Sequence, residues 1–431
     1  MKKDKIYNIA IVGLGNIGSY LFNFLKKYQK AISNKNNSKF KLAYISARNK
    51  NKKRKIKFKK NQWINNCNEI IKKKDVDIII ELIGGSEGPA KKLVFGALKN
   101  KKHVVTANKA LISKYGDQLA KIAEKNKVNL EFEASVAGGI PILRTIKEGL
   151  ATNRINKVYG ILNGTTNYIL SEMENSNESF DKVLEKAQKL GYAEPGNPKL
   201  DLNGFDAFAK VRILSSLAFN TKISKQKCLM EGIENIEYKD IEIVDQLNYR
   251  IKLLGITEII DKKLFERVHP CLVKKNTYIA NVNGVMNAVI LEGTPVGESV
   301  LQGEGAGPGP TSSALMSDFL SILRGNIKYP FSLPNEVREQ VKIYDDANYE
   351  NSLYLRFEVK DKPGVLSQIT KNLAQNNISI QRVIQVPDAR RKTASIVIIT
   401  HETKQKNSNR SLKTLGKNIN MLKKPVLIRL F

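Results

Sequence analysis

Three carboxylates and the lysine Lys210 lie within one stretch of this chain, Leu190–Lys210 (LGYAEPGNPKLDLNGFDAFAK). Asn203-Gly204 reads as a turn, and the apolar spacing from Phe205 onward predicts a helix. Asp206 and Lys210 are four apart, so on that helix they share a face and can meet. Glu194 precedes them in a loop that can turn toward the same point, with Asp201 between. Two carboxylates and one ammonium can hold the amino group of a substrate and still offer a proton donor. The same spacing alone also describes a solvated ion pair, which is common and weak. The elements built around the stretch decide between the two.

The elements before it form a dinucleotide-binding pattern. Ile6–Val12 (IYNIAIV) is a short apolar strand, followed by Gly13-Leu14-Gly15-Asn16-Ile17-Gly18 and a segment of helical periodicity, SYLFNFLKKYQK. In that setting Gly13 allows the tight turn, Gly15 admits a pyrophosphate close to the backbone, and Gly18 lets the helix pack on the strand. The positive helix end then faces the phosphates. The second strand, Lys41–Ser46, ends in Ala47-Arg48-Asn49. An NAD site places an acid there for the ribose 2′-hydroxyl. Arg48 instead favours a 2′-phosphate, hence NADP(H), with NAD(H) the alternative. The Lys50–Lys60 run after it reads mostly as a solvated loop.

Val76–Ile83, Lys102–Thr106 and Val128–Glu133 are further strands, alternating with helices at Pro89–Lys99 and Ile112–Glu124. This predicts an α/β chain opening with a Rossmann-type, doubly wound parallel sheet over residues 1–150, with ligands at the carboxyl ends of the strands. Gly84-Gly85, Thr106 and Asn108-Lys109 all fall at such ends, which points Lys109 toward nicotinamide or substrate, the alternative being a surface lysine that begins a helix. A middle α+β domain is expected over 151–330. In it the strand Lys157–Leu162 runs into Asn163-Gly164-Thr165-Thr166-Asn167, which opens a helix. Small donors there suit a substrate carboxylate, and helix capping is the alternative reading.

Beyond a polar linker near Asp345–Asn351, the strand Leu353–Val359 is followed by an Asp361-Lys362-Pro363-Gly364 turn and the helix Val365–Gln375. Strands at Asn377–Val386 and Ala394–Thr400, a basic helix and a last strand Val426–Leu430 complete a ferredoxin-like βαββαβ domain over 352–431.

Composition narrows the function class. No apolar run approaches the roughly 18–20 residues of a membrane span, so no membrane partner is expected. Three scattered cysteines and three histidines argue against a transition-metal site and suit a reducing cytoplasm. The formal charge of +31 invites a nucleic-acid reading. However, the excess is mostly lysine spread along the chain with abundant Asn and Ile, the pattern of AT-rich codons. No zinc-finger or RNP-type motif accompanies it, so no nucleic-acid partner is expected.

VGLGNIG, SARN, TANKA, FEASVAGGIPI, GILNGTTNYIL, the Leu190–Lys210 stretch and QGEGAGPGPTSSA together resemble homoserine dehydrogenase, in the family's order and as far as about Asp318. The resemblance implies reversible, NAD(P)-dependent reduction of L-aspartate 4-semialdehyde to L-homoserine, in threonine, methionine and isoleucine biosynthesis. It implies Lys210 as the acid/base and a catalytic role for Lys109 between cofactor and substrate. Glu194 and Asp206 would bind the substrate's ammonium end, with Asn163, Gly164 and Thr165 beside them. A structural sodium ion would sit on oxygens of Glu133, Val136, Gly138 and Ile140. Residues 303–330 would return to the first domain, so that Gly305 joins Gly13–Gly18, Ala47, Arg48, Thr106 and Lys109 around the cofactor. The middle domain would also mediate dimerisation, giving a homodimer or homotetramer.

One departure stands out: the loop after Glu194 lacks the family's aspartate and is one residue longer. In the last domain, DKPGVL and the strand order resemble an ACT domain. This implies an amino-acid effector, threonine foremost, near Gly364, Val365, Asn377 and Ile378, the alternative being a domain used only for oligomerisation. Two lysines near one carbonyl are expected to lower each other's pKa by repulsion. A phosphorylating semialdehyde dehydrogenase would need a nucleophilic cysteine, and neither Cys228 nor Cys271 has a local catalytic setting. A non-catalytic amino-acid sensor gives no reason for Asp206 and Lys210 to share a face.

Overall fold

The computed structural model describes residues 5–36, 38–194, 196, 198–388, 390–418 and 420–431. Pro195 and Asn197, in the loop that departs from the family, lie outside the described residues.

The first sheet is five-stranded and all-parallel, in the order Lys39–Ser46, Ile6–Val12, Ile78–Glu81, His103–Thr106, Leu130–Glu131. Its strands are apolar on both faces because helices cover both. Pro89–Lys99 and Lys109–Asn126 pack on one face, joining Leu93, Ala97 and Leu111 to Ala10, Ile79 and Val104. Asn16–Asn36 covers the other face together with Pro308–Leu323, a helix that returns from far along the chain. Phe22, Leu25, Leu315 and Phe319 meet Ile9, Ile11 and Ile80 there.

The expected strand Val128–Glu133 shortens to Leu130–Glu131, and Glu133–Ser135 becomes a 3₁₀ turn. Glu133 leaves the ladder because its N–H donates to Asp318 Oδ2 at 2.8 Å. Its carboxylate meanwhile accepts from the N–H groups of Leu143 and Arg144, at 2.9 and 2.8 Å.

Most of the remaining strands form one mixed sheet, with Glu350–Asn351 and Thr403–Lys404 paired apart from it. Gly297–Glu304, Met286–Thr294, Arg154–Ile161, Tyr249–Ile260 and Lys263–Lys274 are succeeded by Val426–Leu430, Leu353–Lys360, Thr393–Thr400 and Ile380–Asp388. The last four have the ferredoxin-like order. The join is a parallel pairing of Arg429 with Cys271 and Leu430 with Leu272, extended by a 2.9 Å bond from Phe431 N to Leu272 O. A second grip lies nearby. Tyr354 Oη donates to the buried Asp240 at 2.7 Å, and Arg356 donates to both of its oxygens at 2.6 and 3.0 Å. Asp240 belongs to the first turn of the helix Tyr238–Gln246. The C-terminal domain is therefore built into the sheet that carries the site.

Candidate active site

The helix Phe205–Ala218 starts at Gly204, whose φ of 82° turns the chain abruptly, and it directs Asp206 and Lys210 inward. Lys210 is 7% exposed. Its ammonium donates to Asp206 Oδ2 at 2.7 Å and to the Leu162 carbonyl at 2.6 Å. The other Asp206 oxygen lies 2.7 Å from Lys109 Nζ, at the start of the helix Lys109–Asn126. The i,i+4 pair is thus part of a bridge, in which the half-buried Asp206 carboxylate joins two lysines from different domains.

Asn163 both caps and bridges. Its Oδ1 accepts from Thr166 N at 2.9 Å, capping the helix Gly164–Ser176. Its amide donates to Asp206 Oδ2 at 3.0 Å and to Asp201 Oδ1 at 2.8 Å. These groups line a cavity of about 480 Å³ between the parallel sheet and the mixed one. Gly164 and Thr165 lie on its wall, the Thr165 hydroxyl donating to Tyr192 O at 2.6 Å. Glu194 is not brought there: it is exposed, and its carbonyl accepts a long 3.4 Å bond from Gln188 Nε2. Asp201 is the second carboxylate in the cavity.

Titration follows from this geometry. Burial pulls Lys210 below the ordinary lysine value; the Lys109 charge adds to that, and Asp206 opposes it. Burial also works against charge on Lys109, but Asp206 outweighs it and raises the pKa. Lys109 keeps 40% of its side chain accessible, so water screens part of that attraction. The expected mutual lowering therefore holds for Lys210 alone, because one carboxylate stands between the two cations. Burial would raise Asp206, yet Lys210 and Lys109 hold it well below the carboxylate range. Burial raises Asp201, and the neighbouring Asp206 charge adds to it.

The second cavity, about 750 Å³, opens at the carboxyl end of the first strand and is lined by Gly13, Leu14, Gly15, Ala47 and Arg48. At Gly13 φ is +103°, and a Cβ would strike the Leu82 carbonyl; a Cβ at Gly18 would strike the carbonyl of Gly13. Gly15 faces open space, which leaves room for a ligand's phosphates. Lys52 and Arg54 also line this cavity, and Arg54 Nε donates to Leu14 O at 3.0 Å. Both belong to the run read as a solvated loop, where nothing in the pattern separates them from their neighbours.

Asn16 begins the helix, and Ile17 faces the substrate-side cavity. Thr106 lines neither cavity. Buried beneath the strand ends, it donates to Glu81 Oε2 at 2.6 Å and accepts from Asn108 N at 3.0 Å. Glu81 in turn accepts from Ile83 N and Gly84 N, at 2.7 and 3.1 Å, fixing the glycine turn. Sequence gave no sign of this floor beyond an acid inside an apolar strand. Gly305 lines the substrate-side cavity, and the Asn287 amide fills the space a Cβ there would take.

Val136, Gly138, Ile140 and Glu133 are all buried in one turn. Among the described residues no group of three or more His, Cys, Asp or Glu could hold a metal ion. In the C-terminal domain, Gly364 and Val365 line a cavity of about 400 Å³ with Lys360, Gln385 and Ile396. Asn377 and Ile378 sit at the opposite end of the helix Val365–Gln375, so the structure separates the two halves of the expected effector site.

A glycine turn for a dinucleotide, opening beside a buried lysine–carboxylate cluster, characterises a nicotinamide-dependent oxidoreductase. Family models then match three consecutive parts of the chain: "Homoserine dehydrogenase, NAD binding domain" over 13–133, "Homoserine dehydrogenase" over 141–320 and "ACT domain" over 353–420. The homoserine dehydrogenase of Neisseria gonorrhoeae is 40% identical over 429 residues, covering 98% of both chains. That of Bacillus subtilis is 34% identical, covering 96% of this chain and 95% of its own. The crystal structure of a homoserine dehydrogenase from Thiobacillus denitrificans superposes with a TM-score of 0.89 at 35% identity, over 99% of this chain and 98% of that one. The chain belongs to the homoserine dehydrogenase family.

Proposed function

We propose that the chain reduces L-aspartate 4-semialdehyde to L-homoserine in the cytoplasm, prefers NADPH, and is feedback-inhibited by threonine as a homodimer or homotetramer. The observation that carries this reading is the Asp206 carboxylate, which holds Lys210 in place while burial keeps its pKa below the ordinary lysine value. A bound dinucleotide supplies the hydride. Negative charge then develops on the aldehyde oxygen, and Lys210 has one N–H left after bonding Asp206 and Leu162. That N–H donates the proton; in homoserine oxidation the neutral amine takes it back. Lys109 adds positive charge beside the same oxygen. Asp206 and Asp201 hold the substrate's ammonium end, the task the family resemblance gives to Glu194 and Asp206.

NADPH preference is supported by Arg48, Lys52 and Arg54 on one cavity, three cations suited to a 2′-phosphate. The buried turn at Glu133, Val136, Gly138 and Ile140 suits a hard monovalent ion held by backbone oxygens. The Glu133 carboxylate is already occupied by two N–H groups, so backbone would supply most of the ligands. Threonine binding is assigned to the cavity at Gly364 and Val365.

The deciding experiment follows NADPH oxidation with aspartate semialdehyde, for the native chain and Lys210→Ala, with NADH and with threonine. Turnover that collapses in the folded variant supports the assignment. Retained activity would move the acid/base role to Lys109.

A further inference from the structure

The loop 231–236 lies between the C-terminal domain and the wall of the substrate cavity. Arg429, in the strand Val426–Leu430, is fully buried. Its guanidinium grips the Glu231 carboxylate with two bonds, 2.6 and 3.0 Å, while Nε donates to Gln405 Oε1 at 3.1 Å. Such a fork fixes direction as well as distance. Glu231 leads directly into Gly232, where a Cβ would strike the Leu202 carbonyl, and Ile233 N donates to that same carbonyl at 3.0 Å. Leu202 adjoins Asp201, whose Oδ1 is bonded to Asn163 in the cavity. A void of about 360 Å³ lies in this seam, lined by Asn203, Glu231, Gly232, Pro270 and Leu427, so the turn has space to shift when its anchor is lost.

We infer that Arg429, acting through Glu231, is a positioning residue for the substrate site: the C-terminal domain sets the turn against which the short helix Lys199–Leu202, the carrier of Asp201, is bonded. The inference rests on the reading of Asp201 as a substrate carboxylate. Glu231 N stays bonded to Val268 O at 2.8 Å and Ile233 N to Leu202 O, so loosening Arg429 lets the turn pivot about the first bond and draws Asp201 away from Asp206, leaving the dinucleotide cavity, on the other sheet, untouched.

Steady-state kinetics on the full chain tests this, with aspartate semialdehyde and NADPH varied separately and folding checked by thermal melting. Arg429→Met and Glu231→Gln should each raise KM for the semialdehyde about tenfold, short of the ~100-fold that a 1 Å misplacement can cost, with KM for NADPH unchanged. The double variant should be no worse than either single one, because both break the same link. Arg429→Lys should restore part of the loss. Asp201→Asn is the reference. If it leaves the semialdehyde KM unchanged, the reading of Asp201 fails and takes this inference with it. If it raises KM while the folded Arg429 and Glu231 variants keep the native value, the inference alone is overturned. Should Arg429→Met not fold, Glu231→Gln carries the decision, since its partly exposed side chain tolerates the change.

Discussion

The dinucleotide cavity is built from backbone and the substrate cavity from side chains. Gly13 and Gly15 shape the first, and its cations are arranged around a turn, with Arg48 exposed. The second draws Lys109, Asn163, Asp201, Asp206 and Lys210 from four separate segments, burying Asn163 and Lys210 and partly burying the other three. Charges in water need little tuning but are screened by salt. Charges withdrawn from water must be paired, and the pairing sets their protonation. One region should therefore respond to ionic strength, the other to pH.

The largest effect that would sharpen this contrast is at Asp206. Asp206→Asn removes the carboxylate that bridges the two lysines and leaves only the more distant Asp201 to offset them, and kcat/KM should fall about 10²–10⁴-fold, the range of a lost acid/base contribution. Rates near native would break the comparison. Next comes pH. Because Lys210 titrates below its ordinary 10.5, reduction should weaken, and homoserine oxidation strengthen, as pH rises through its folded value. In Lys210→Met that dependence should vanish from the pH–rate profile.

Stability has a separate sign. Asp206 has a folded pKa below its ordinary 3.8, so its stabilising contribution is fully present above that value and lost as pH falls through the folded one. Acid unfolding monitored by circular dichroism should accordingly begin at higher pH when a partner lysine is removed.

A smaller effect belongs to the other cavity. Arg48→Ser should raise KM for NADPH about tenfold and leave NADH nearly unchanged, with the gap narrowing in high salt. Smallest of all, Glu194→Gln should alter the semialdehyde KM less than about threefold, against a clear rise for Asp201→Asn. The reverse order would return Glu194 to the site.

The legibility of the two regions differs for the same reason. A backbone-made site announces itself through glycine spacing and strand–helix alternation, so Gly13–Gly18 and the parallel sheet were readable. Asp206 and Lys210 were readable as an i,i+4 pair, and their burial was not. Asn163, which ties Asp201 to Asp206, comes from a segment 38 and 43 residues away and had looked like a cap or an anion site. Lys52 and Arg54 were hidden among lysines of the same charge. The junction of Arg429 with Cys271 rests on two paired residues far apart in sequence, too short a signal for any local pattern.

That junction also orders events during synthesis. Val426–Leu430 lies between strands made long before it, Lys263–Lys274 and Leu353–Lys360, and emerges from the ribosome after both. Until then the outer part of Lys263–Lys274, around Cys271 and Leu272, is an open edge able to pair with another nascent chain. Such non-local pairing is also slow to form. The substrate-side sheet is consequently most prone to aggregate during this interval, and a chaperone that shields strand edges would raise the yield of folded enzyme.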